Sequence, residues 1–354
     1  MKFPGLIDAH VHLRIPGGEH KEDFRTGSAA ALAGGFTTLL AMPNTQPPLV
    51  SYKEWAIAQT RADHESLCDV FLFAGASEEH IHALPKLAQS AHGLKVYLND
   101  TYGPLRVAGM EGLQQIVKAW PGNKPIAVHA EGDSLAVPIE MAALFDRHIH
   151  VCHVSREEEI ERIAEAKARG LRVTCEVTPH HLFLNQADAD RLGPLGDMRP
   201  KLAKQSDVDV LWKHINSTID CVASDHAPHT LEEKGMTAPK NKDQALPLQK
   251  KVPPGVPGLE STLPLLLTAA AEGRLTYQRI LGLLYTNPQR IYNLPSQADT
   301  WIEVDEKASY TFPDHALFTK CGWSPFDGQQ MTGRIIKVVF KGKTVYQNGK
   351  VFSF

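Results

Sequence analysis

Histidine and arginine side chains alternate along one short apolar stretch near the start of the chain, GLIDAHVHLR at residues 5–14. His10, His12 and Arg14 lie two residues apart, and side chains at that spacing in a β-strand point to the same face. Two imidazoles on one face can bind a metal ion, and a guanidinium can bind a carboxylate. By itself the pattern leaves a second interpretation open, because buried histidines satisfied by backbone groups are also common.

Further metal-binding residue types fall in other short apolar stretches: Lys95 in LKVYL, His129 in AVHAEG, His153 in VCHVS and Asp225 in ASDHAP. A cluster of imidazoles with a carboxylate suits zinc, and a catalytic zinc keeps one coordination position for water. A free ammonium cannot be a ligand. Lys95 would therefore join the cluster only as a carbamate, formed with carbon dioxide and bridging two metals; otherwise it is an ordinary ion-paired lysine.

The elements that must position these residues are eight β-rich runs, each followed by a helical or loop segment. The runs are LIDAHVHL, FTTLLAMP, DVFLFAG, LKVYL, PIAVHA, HIHVCHV, RVTCEVTP and CVASDHAP. Such alternation predicts an α/β fold, a (β/α)8 TIM barrel over residues 1–295, whose active site forms at the carboxyl ends of the strands. One helix has clear boundaries: Ser155 and Glu158 form a capping box, and Gly170 ends it.

Residues 296–354 change to a β pattern with Asn348-Gly349 at a hairpin turn, and they predict a small β appendage formed by the C-terminal segment. Because the first barrel strand begins almost at Met1, we expect no N-terminal strand in that appendage. The chain is then expected to be a domain cut from a longer polypeptide. Residues 235–256 are polar, proline-containing and basic, and they predict an exposed loop.

Charge and composition exclude several classes of function. The chain has 37 basic and 40 acidic side chains, a net charge of −3, so no field of one sign favours nucleic acid or an anionic membrane. Neither a signal peptide nor a run of ~18 apolar residues is found, which predicts a cytoplasmic protein. Five scattered cysteines favour reduced thiols over disulfides.

Seven segments together resemble a known family. DAHVHLR, MPNT, GLKVYLN, HAE, CHVSR, EVTPHHLF and ASDHAPHTLEEK occur in the order found in dihydroorotases of the amidohydrolase superfamily, and they span nearly the whole chain. The likeness is to the form within the animal multienzyme that begins pyrimidine synthesis. It implies the reversible cyclisation of N-carbamoyl-L-aspartate to L-dihydroorotate, with a zinc-activated water as nucleophile in hydrolysis and Asp225 as the acid and base.

The resemblance also implies which residues bind metal. His10, His12 and Asp225 would hold one zinc, His129 and His153 a second, and carbamylated Lys95 would bridge the two. Cys152 and Glu176 match positions that join His129 at a third zinc. Cys152 and His153 are neighbours, so both can face the site only if the strand bends there. Without the resemblance, Cys152 is a small buried hydrophobe and Glu176 an ion-paired carboxylate.

The substrate-binding residues are likewise implied by the resemblance. Arg14, Asn44 and His229 match positions that hold the free carboxylate of the substrate, and Arg199 is a further site residue. Thr101 and Tyr102 fall in a loop thought to close over the substrate, where animal sequences typically carry Phe beside the Thr.

Two other functions are also consistent with these residues. A hydantoinase or dihydropyrimidinase would use the same metals on a cyclic amide, although its substrates do not need the carboxylate that Arg14 suits. A catalytically silent, dihydroorotase-like scaffold would keep the fold without the chemistry. The family further implies a homodimer, with carbamoyl-phosphate synthetase and aspartate transcarbamoylase as covalent neighbours.

Overall fold

The computed structural model describes residues 1–236 and 252–352. Most of the predicted 235–256 loop, residues 237–251, lies outside the described residues, as do residues 353–354. Within the described ranges, no helix is both long and apolar enough to cross a membrane.

Fourteen strands are found in the described chain. They are β1 (Lys2–Pro4), β2 (Leu6–Val11), β3 (Phe36–Ala41), β4 (Asp69–Leu72), β5 (Ala74–Gly75), β6 (Leu94–Tyr97), β7 (Ile126–His129), β8 (Ile149–Val151), β9 (Val173–Val177), β10 (Cys221–Val222), β11 (Trp301–Thr311), β12 (Gln330–Phe340), β13 (Lys343–Gln347) and β14 (Lys350–Val351). Each of the eight predicted runs contains one or two of β2 to β10, so all eight strand predictions are confirmed.

Helices follow most of these strands. The α-helices are α1 (Phe24–Ala33), α2 (Tyr52–Glu65), α3 (Leu84–Ser90), α4 (Gly109–Ala119), α5 (Ala136–Phe145), α6 (Glu157–Ala168), α7 (Pro179–Phe183), α8 (Gln186–Leu192), α9 (Gln205–His214), α10 (Leu259–Ala271), α11 (Tyr277–Leu281) and α12 (Asn287–Tyr292). Short 3₁₀ segments occur at Glu78–Ala83, Gly132–Leu135 and Gly193–Gly196, and one π-helical turn at Gly282–Thr286.

The strands β2 to β10 form two parallel sheets, in the orders β2-β3-β4 and β5-β6-β7-β8-β9-β10. Only Phe73 separates β4 from β5, and its N–H donates to the carbonyl of Ala41. At the opposite edges of the two sheets, Val11 of β2 pairs in parallel with His226, which follows β10. The parallel α/β architecture predicted from the sequence is therefore confirmed, and the two sheets meet at both of these places.

A buried carboxylate strengthens the second of these contacts. Asp8, in β2, accepts hydrogen bonds from the backbone N–H of Ser224, at 3.1 Å, and of His10, at 3.2 Å. Burial raises the pKa of Asp8 to about 7, against the lowering effect of those hydrogen bonds. The N–H of His12 also donates to the carbonyl of His226, at 2.7 Å. These bonds hold the start of the chain against the segment that follows β10.

Helix α6 begins and ends close to its predicted limits, but its capping carboxylate is different. Glu159, not Glu158, accepts from the backbone N–H groups of Ser155 and Arg156, at 3.0 and 3.2 Å. Both N–H groups lie just before the first turn of the helix, and a negative charge there interacts favourably with the positive end of the helix dipole. Gly170 follows the helix with a φ of +78°, as a glycine stop requires.

The β appendage contains the C-terminal strands β11 to β14, and the predicted turn at Asn348-Gly349 joins β13 to β14. The expectation that no N-terminal strand takes part is wrong. Strand β1 pairs antiparallel with β11, with Phe3 opposite Ile302. The three residues of β1, Lys2–Pro4, are enough to form an edge strand. Gly5 then links this strand to β2, which belongs to the other sheet. A domain boundary between residues 295 and 296 stays a prediction.

We expect Gly333→Ala to destabilise the packing of β12 on α10. Gly333 has a φ of +97°, and a Cβ there would lie 2.7 Å from the Cβ of Leu267, a buried residue of α10. The clash and the backbone strain should together cost about 2–4 kcal/mol of unfolding free energy, measured by urea denaturation. The control is Gly322→Ala: its φ is +67°, but no described heavy atom lies within 4 Å, so only the strain of about 1–2 kcal/mol applies. Equal losses in the two variants would contradict this account of the interface.

Candidate active site

A cleft of about 460 Å³, partly open to solvent, lies where the parallel strands end. Ten of the predicted site residues line it: His10, His12, Arg14, Asn44, Thr101, Tyr102, His129, His153, Arg199 and Asp225. The other four, Lys95, Cys152, Glu176 and His229, are buried behind its walls. The strand ends thus bring together residues that are separated by more than half the length of the chain.

The first group of candidate ligands comes from β2 and the segment after β10. Asp225 Oδ1 lies 3.1 Å from His12 Nε2 and 3.4 Å from His10 Nε2. Burial lowers the pKa of His12 to about 4, which keeps its imidazole neutral. Burial would raise the pKa of Asp225, but His10 and His12 outweigh it and hold that pKa well below its usual range. Neutral imidazoles next to an ionised carboxylate are the forms that bind a metal ion.

The predicted bend between Cys152 and His153 is present. Strand β8 ends at Val151, and His153 has a left-handed backbone with a φ of +37°. As a result His153 Nε2 lies 2.9 Å from His129 Nδ1, while Cys152 Sγ accepts a hydrogen bond from Lys95 Nζ at 2.9 Å. Asp225 and Arg14 also have positive φ values, +43° and +63°. Strained backbone at three residues of one cleft is typical of a functional site.

Cys152 and Glu176 lie beside His10, and their expected meeting with His129 at a third zinc stays a prediction. The possible ligand atoms of His10, Cys152 and Glu176 are within 4.8 Å of one another. Glu176 Oε1 is 2.5 Å from His10 Nδ1, and its Oε2 is 3.2 Å from His150 Nε2. Burial would raise the pKa of Glu176, but these two histidines hold it well below its usual range. The two ring nitrogens of His10 therefore face two different groups of candidate ligands.

The residues present fit bound metal. His153 Nδ1 is buried without a hydrogen-bond partner, an arrangement that folded proteins rarely tolerate. Burial lowers the pKa values of His129 and His153, so both rings are neutral and have lone pairs to share. Glu131 accepts from His129 Nε2 at 2.8 Å, which leaves His129 Nδ1 for the cluster. This donor set, mostly imidazole with carboxylate and a thiol, is the kind that zinc prefers.

Two guanidinium groups that suit an anionic substrate also line the cleft. Arg14 donates from Nε to the carbonyl of Pro228, at 3.1 Å, and its side chain is almost fully buried. Arg199 donates to the carboxylate of Asp197, at 2.6 Å, and to the carbonyl of Met198, at 2.7 Å. Both side chains are thus held in place before any substrate arrives, with hydrogen-bond donors left for a carboxylate.

Asn44 uses both ends of its amide within the protein. Its Oδ1 accepts from His12 Nδ1 at 2.8 Å, and its Nδ2 donates to the carbonyl of Tyr102 at 2.8 Å. The first contact fixes the tautomer of His12 and directs Nε2 towards Asp225. The second ties the loop that carries Thr101 and Tyr102 to the wall of the cleft. Asn44 therefore orients a candidate metal ligand, a role that the resemblance did not imply.

Sequence reasoning missed three polar side chains of the site. Tyr97 and His180 line the cleft, and the phenol oxygen of Tyr97 and Nε2 of His180 are buried without partners. Glu131 fixes the tautomer of His129. The sequence could have indicated Tyr97, because this residue follows Lys95 by two positions in one strand and must share its face. His180 lies on α7, whose direction only the folded chain sets.

Comparisons with known proteins show which family the chain matches. The model of the amidohydrolase family matches residues 1–345. Multifunctional protein CAD of Squalus acanthias is 46% identical over 99% of the chain, and the chain spans only 15% of that relative. A dihydroorotase of Pyrococcus furiosus is 32% identical, over 99% of the chain and 82% of the relative.

Solved structures share the fold. The L-hydantoinase (dihydropyrimidinase) of Arthrobacter aurescens has a TM-score of 0.89 at 23% identity, over 100% of this chain and 87% of that one. An inactive dihydroorotase-like domain of the Chaetomium thermophilum CAD-like multifunctional protein has a TM-score of 0.79 at 26% identity. The match covers 100% of this chain and 97% of that one. At such identities these likenesses carry the fold and leave the chemistry to the residues of this cleft.

We expect Asn44→Ala to weaken zinc binding about 10- to 100-fold, because His12 Nδ1 loses the acceptor that orients it. Asn44→Asp keeps an acceptor and should bind zinc nearly as well as the unchanged protein. Affinity would be measured by competition with a chromophoric chelator. The exposed Asn123→Ala is the matched control. Equal affinities in Asn44→Ala and Asn123→Ala would show that the Asn44 contact does not support the site.

Proposed function

The chain belongs to the amidohydrolase family, and on that premise we propose that it is a dihydroorotase, which interconverts N-carbamoyl-L-aspartate and L-dihydroorotate in pyrimidine synthesis. One observation carries the proposal. The Asp225–histidine cluster and the Arg14 guanidinium line the same cleft. The reaction needs both, since one end of the substrate is the cyclic amide that reacts and the other is a free carboxylate.

We propose that the cofactor is zinc, with His10, His12 and Asp225 holding one ion and His129 and His153 another. When bound, zinc lowers the pKa of water and polarises a carbonyl group. Carbamylated Lys95 would bridge the two ions. Its burial supports this, because Lys95 is fully buried and no carboxylate of the described residues lies within ion-pair distance. An unpaired buried ammonium is costly, and carbamylation would replace its positive charge with a carbamate anion that can bind metal ions. Cys152 and Glu176, beside His10, are the candidates for a third ion.

Asp225 is the residue that moves the proton. Its side chain is 11% exposed, to the cleft, and its depressed pKa keeps it ionised at neutral pH. In hydrolysis it accepts a proton from the attacking water and delivers it to the ring nitrogen as the amide bond breaks. In synthesis it takes the proton from the carbamoyl nitrogen as that nitrogen attacks the carboxyl carbon, and it returns the proton to the carboxyl oxygen that leaves as water.

Arg14, Arg199 and His229 provide the anion-binding end. The guanidinium of Arg14 can form paired hydrogen bonds with a carboxylate, which orients the ring so that its amide faces the histidines. Tyr102 packs its ring 5.0 Å from the Arg14 guanidinium, on the open side of the cleft. With Thr101, we propose that it covers the bound substrate and limits access of water.

Three broader features are part of the proposal. The two sheets close into a single (β/α)8 barrel, which the contacts at Phe73 and between Val11 and His226 support. The domain acts in the cytoplasm within a multifunctional protein, beside carbamoyl-phosphate synthetase and aspartate transcarbamoylase; the 46% identity to a multifunctional relative supports this. A homodimer stays a prediction from the family.

The scaffold alternative has a precedent in the inactive Chaetomium thermophilum domain. This chain keeps all six residues of the proposed two-zinc set. Five of them line the cleft, and the sixth, Lys95, is buried beside Cys152, which supports activity. A domain free of catalytic selection has no physical need to bury an unpaired lysine among histidines. Activity is therefore the better supported function.

The proposed function predicts turnover in both directions by zinc-loaded protein in bicarbonate, followed by ultraviolet absorbance and by chromatography. Asp225→Asn should reduce kcat about 10²- to 10⁴-fold, the usual contribution of a general acid or base. Zinc content must be measured in parallel, since Asp225 is also a candidate ligand. The exposed Asp209→Asn is the control and should keep full activity. No turnover by folded, zinc-loaded, unchanged protein would favour the scaffold.

Arg14→Gln should separate a dihydroorotase from a hydantoinase. We expect kcat/KM for dihydroorotate to fall at least about 30-fold, because the substrate carboxylate loses a charge-assisted partner worth about 2–5 kcal/mol. Any turnover of dihydrouracil, the same ring without the carboxylate, should change less than about threefold. Arg25→Gln, on the exposed face of α1, is the control. Unchanged protein that prefers dihydrouracil would indicate a dihydropyrimidinase.

A further inference from the structure

Lys21 is a buried cation that the proposed reaction does not use. Only 3% of its side chain is exposed, and three acceptors surround its ammonium group. These are Glu233 Oε1 at 2.8 Å, the phenol oxygen of Tyr102 at 3.1 Å and His229 Nδ1 at 3.1 Å. An ammonium has three N–H groups and no lone pair, so each of its hydrogens has one partner.

The second ring nitrogen of His229 lies between an acceptor and a donor. Nε2 is 3.0 Å from the carbonyl of Pro254 and 3.0 Å from a terminal nitrogen of Arg14. A neutral imidazole has one N–H and one lone pair, so its two nitrogens cannot both accept or both donate. The ring is neutral, because burial together with Arg14 and Lys21 lowers its pKa to about 2.

These contacts allow two tautomers, and each has a different effect on Arg14. With the hydrogen on Nε2, Nδ1 accepts from Lys21 and Nε2 donates to Pro254, and Arg14 keeps its hydrogens for a ligand. With the hydrogen on Nδ1, His229 faces the carboxylate of Glu233, whose Oε2 is 3.5 Å away, and its Nε2 lone pair takes a hydrogen of Arg14. Lys21 cannot accept and lies 3.1 Å from Nδ1, nearer than Glu233, whereas the Pro254 carbonyl lies 3.0 Å from Nε2. These contacts favour the first arrangement.

We propose that Lys21 is a positioning residue that holds His229 as the Nε2–H tautomer, so that Nε2 takes no hydrogen from Arg14 and Arg14 keeps its N–H donors for the carboxylate of the substrate. The identity of that ligand rests on the proposed function, whereas the tautomer does not. A carboxylate accepts hydrogen bonds, so the tautomer that leaves the donors of Arg14 free strengthens the anion-binding end.

Glu233 and Tyr102 complete the arrangement around Lys21. The carboxylate of Glu233 compensates the buried charge, and it also accepts from His20 Nε2 and from the backbone N–H of Thr230, both at 3.1 Å. Tyr102 supplies the third acceptor from the loop that lies over the cleft. Lys21 therefore links this loop to His229, and the phenol is needed for that link but not for the tautomer.

The test uses the whole chain and reads the tautomer directly. In protein labelled with nitrogen-15, long-range proton–nitrogen correlation distinguishes Nδ1–H from Nε2–H in each histidine, and comparison with His229→Gln assigns the signal. We expect Nε2–H in the unchanged protein and in Lys21→Arg, and a shift to Nδ1–H in Lys21→Met. Tyr102→Phe is the control and should keep Nε2–H. Nδ1–H in the unchanged protein, or Nε2–H in Lys21→Met, would overturn the proposal. The tautomer found in the unchanged protein does not depend on how well any variant folds.

Kinetics then separate this inference from the proposed function. In Lys21→Met we expect KM for dihydroorotate to rise about 10- to 100-fold, the loss of one charge-assisted hydrogen bond, with kcat within about threefold. Lys21→Arg should restore most of the KM. An unchanged KM in a variant whose tautomer has shifted would overturn the role in substrate binding. Absent turnover together with the expected tautomer shift would contradict the dihydroorotase proposal and leave the role of Lys21 in place.

Discussion

The contact between the first parallel strand and the segment that follows β10 is the interaction on which the rest of the site depends. Asp8 accepts from the N–H of Ser224, and the N–H of His12 donates to His226, so the two segments are joined by bonds that exclude water. The contact brings Asp225 within 3.4 Å of two histidines near the start of the chain. Because Asp8 is buried in strand β2, loss of its hydrogen bonds would leave an uncompensated carboxylate inside the fold.

Burial and charge then set the protonation states that the chemistry needs. Burial lowers the pKa values of His12, His129 and His153 and would raise those of the carboxylates, but nearby histidines hold the pKa values of Asp225 and Glu176 well below their usual range. Each group depends on its neighbours, since a histidine moved away from Asp225 would alter the charge of both. This mutual dependence explains why strained backbone is tolerated at His153 and Asp225: the surrounding bonds fix these side chains more strongly than the strain opposes them.

The cleft combines two kinds of side chain. Neutral lone pairs and carboxylates suit cations, and the N–H donors of Arg14 and Arg199 suit an anion. Asn44 contacts both a candidate metal ligand and the loop beside Arg14, because it accepts from His12 and donates to the backbone of Tyr102. The buried charge of Lys21 organises the anion-binding groups in the way that Asp225 organises the candidate metal ligands. A substrate with a reactive amide and a carboxylate matches this polarity.

The sequence by itself determined the eight strands and the parallel α/β fold, because strand faces and turns follow from short-range spacing. It placed His10, His12 and Arg14 on one strand face, whereas most other candidate site residues came from the resemblance to dihydroorotases. Cys152 and His153 could both face the site only if the strand bent between them. Only the tertiary structure decided that β1 joins the appendage, that Cys152 and Glu176 meet His10, that Glu159 caps α6, and that Lys21 contacts His229. Those outcomes depend on which distant segments pack together and on where long side chains end. Local periodicity does not encode such contacts, because they are made between residues far apart in the chain.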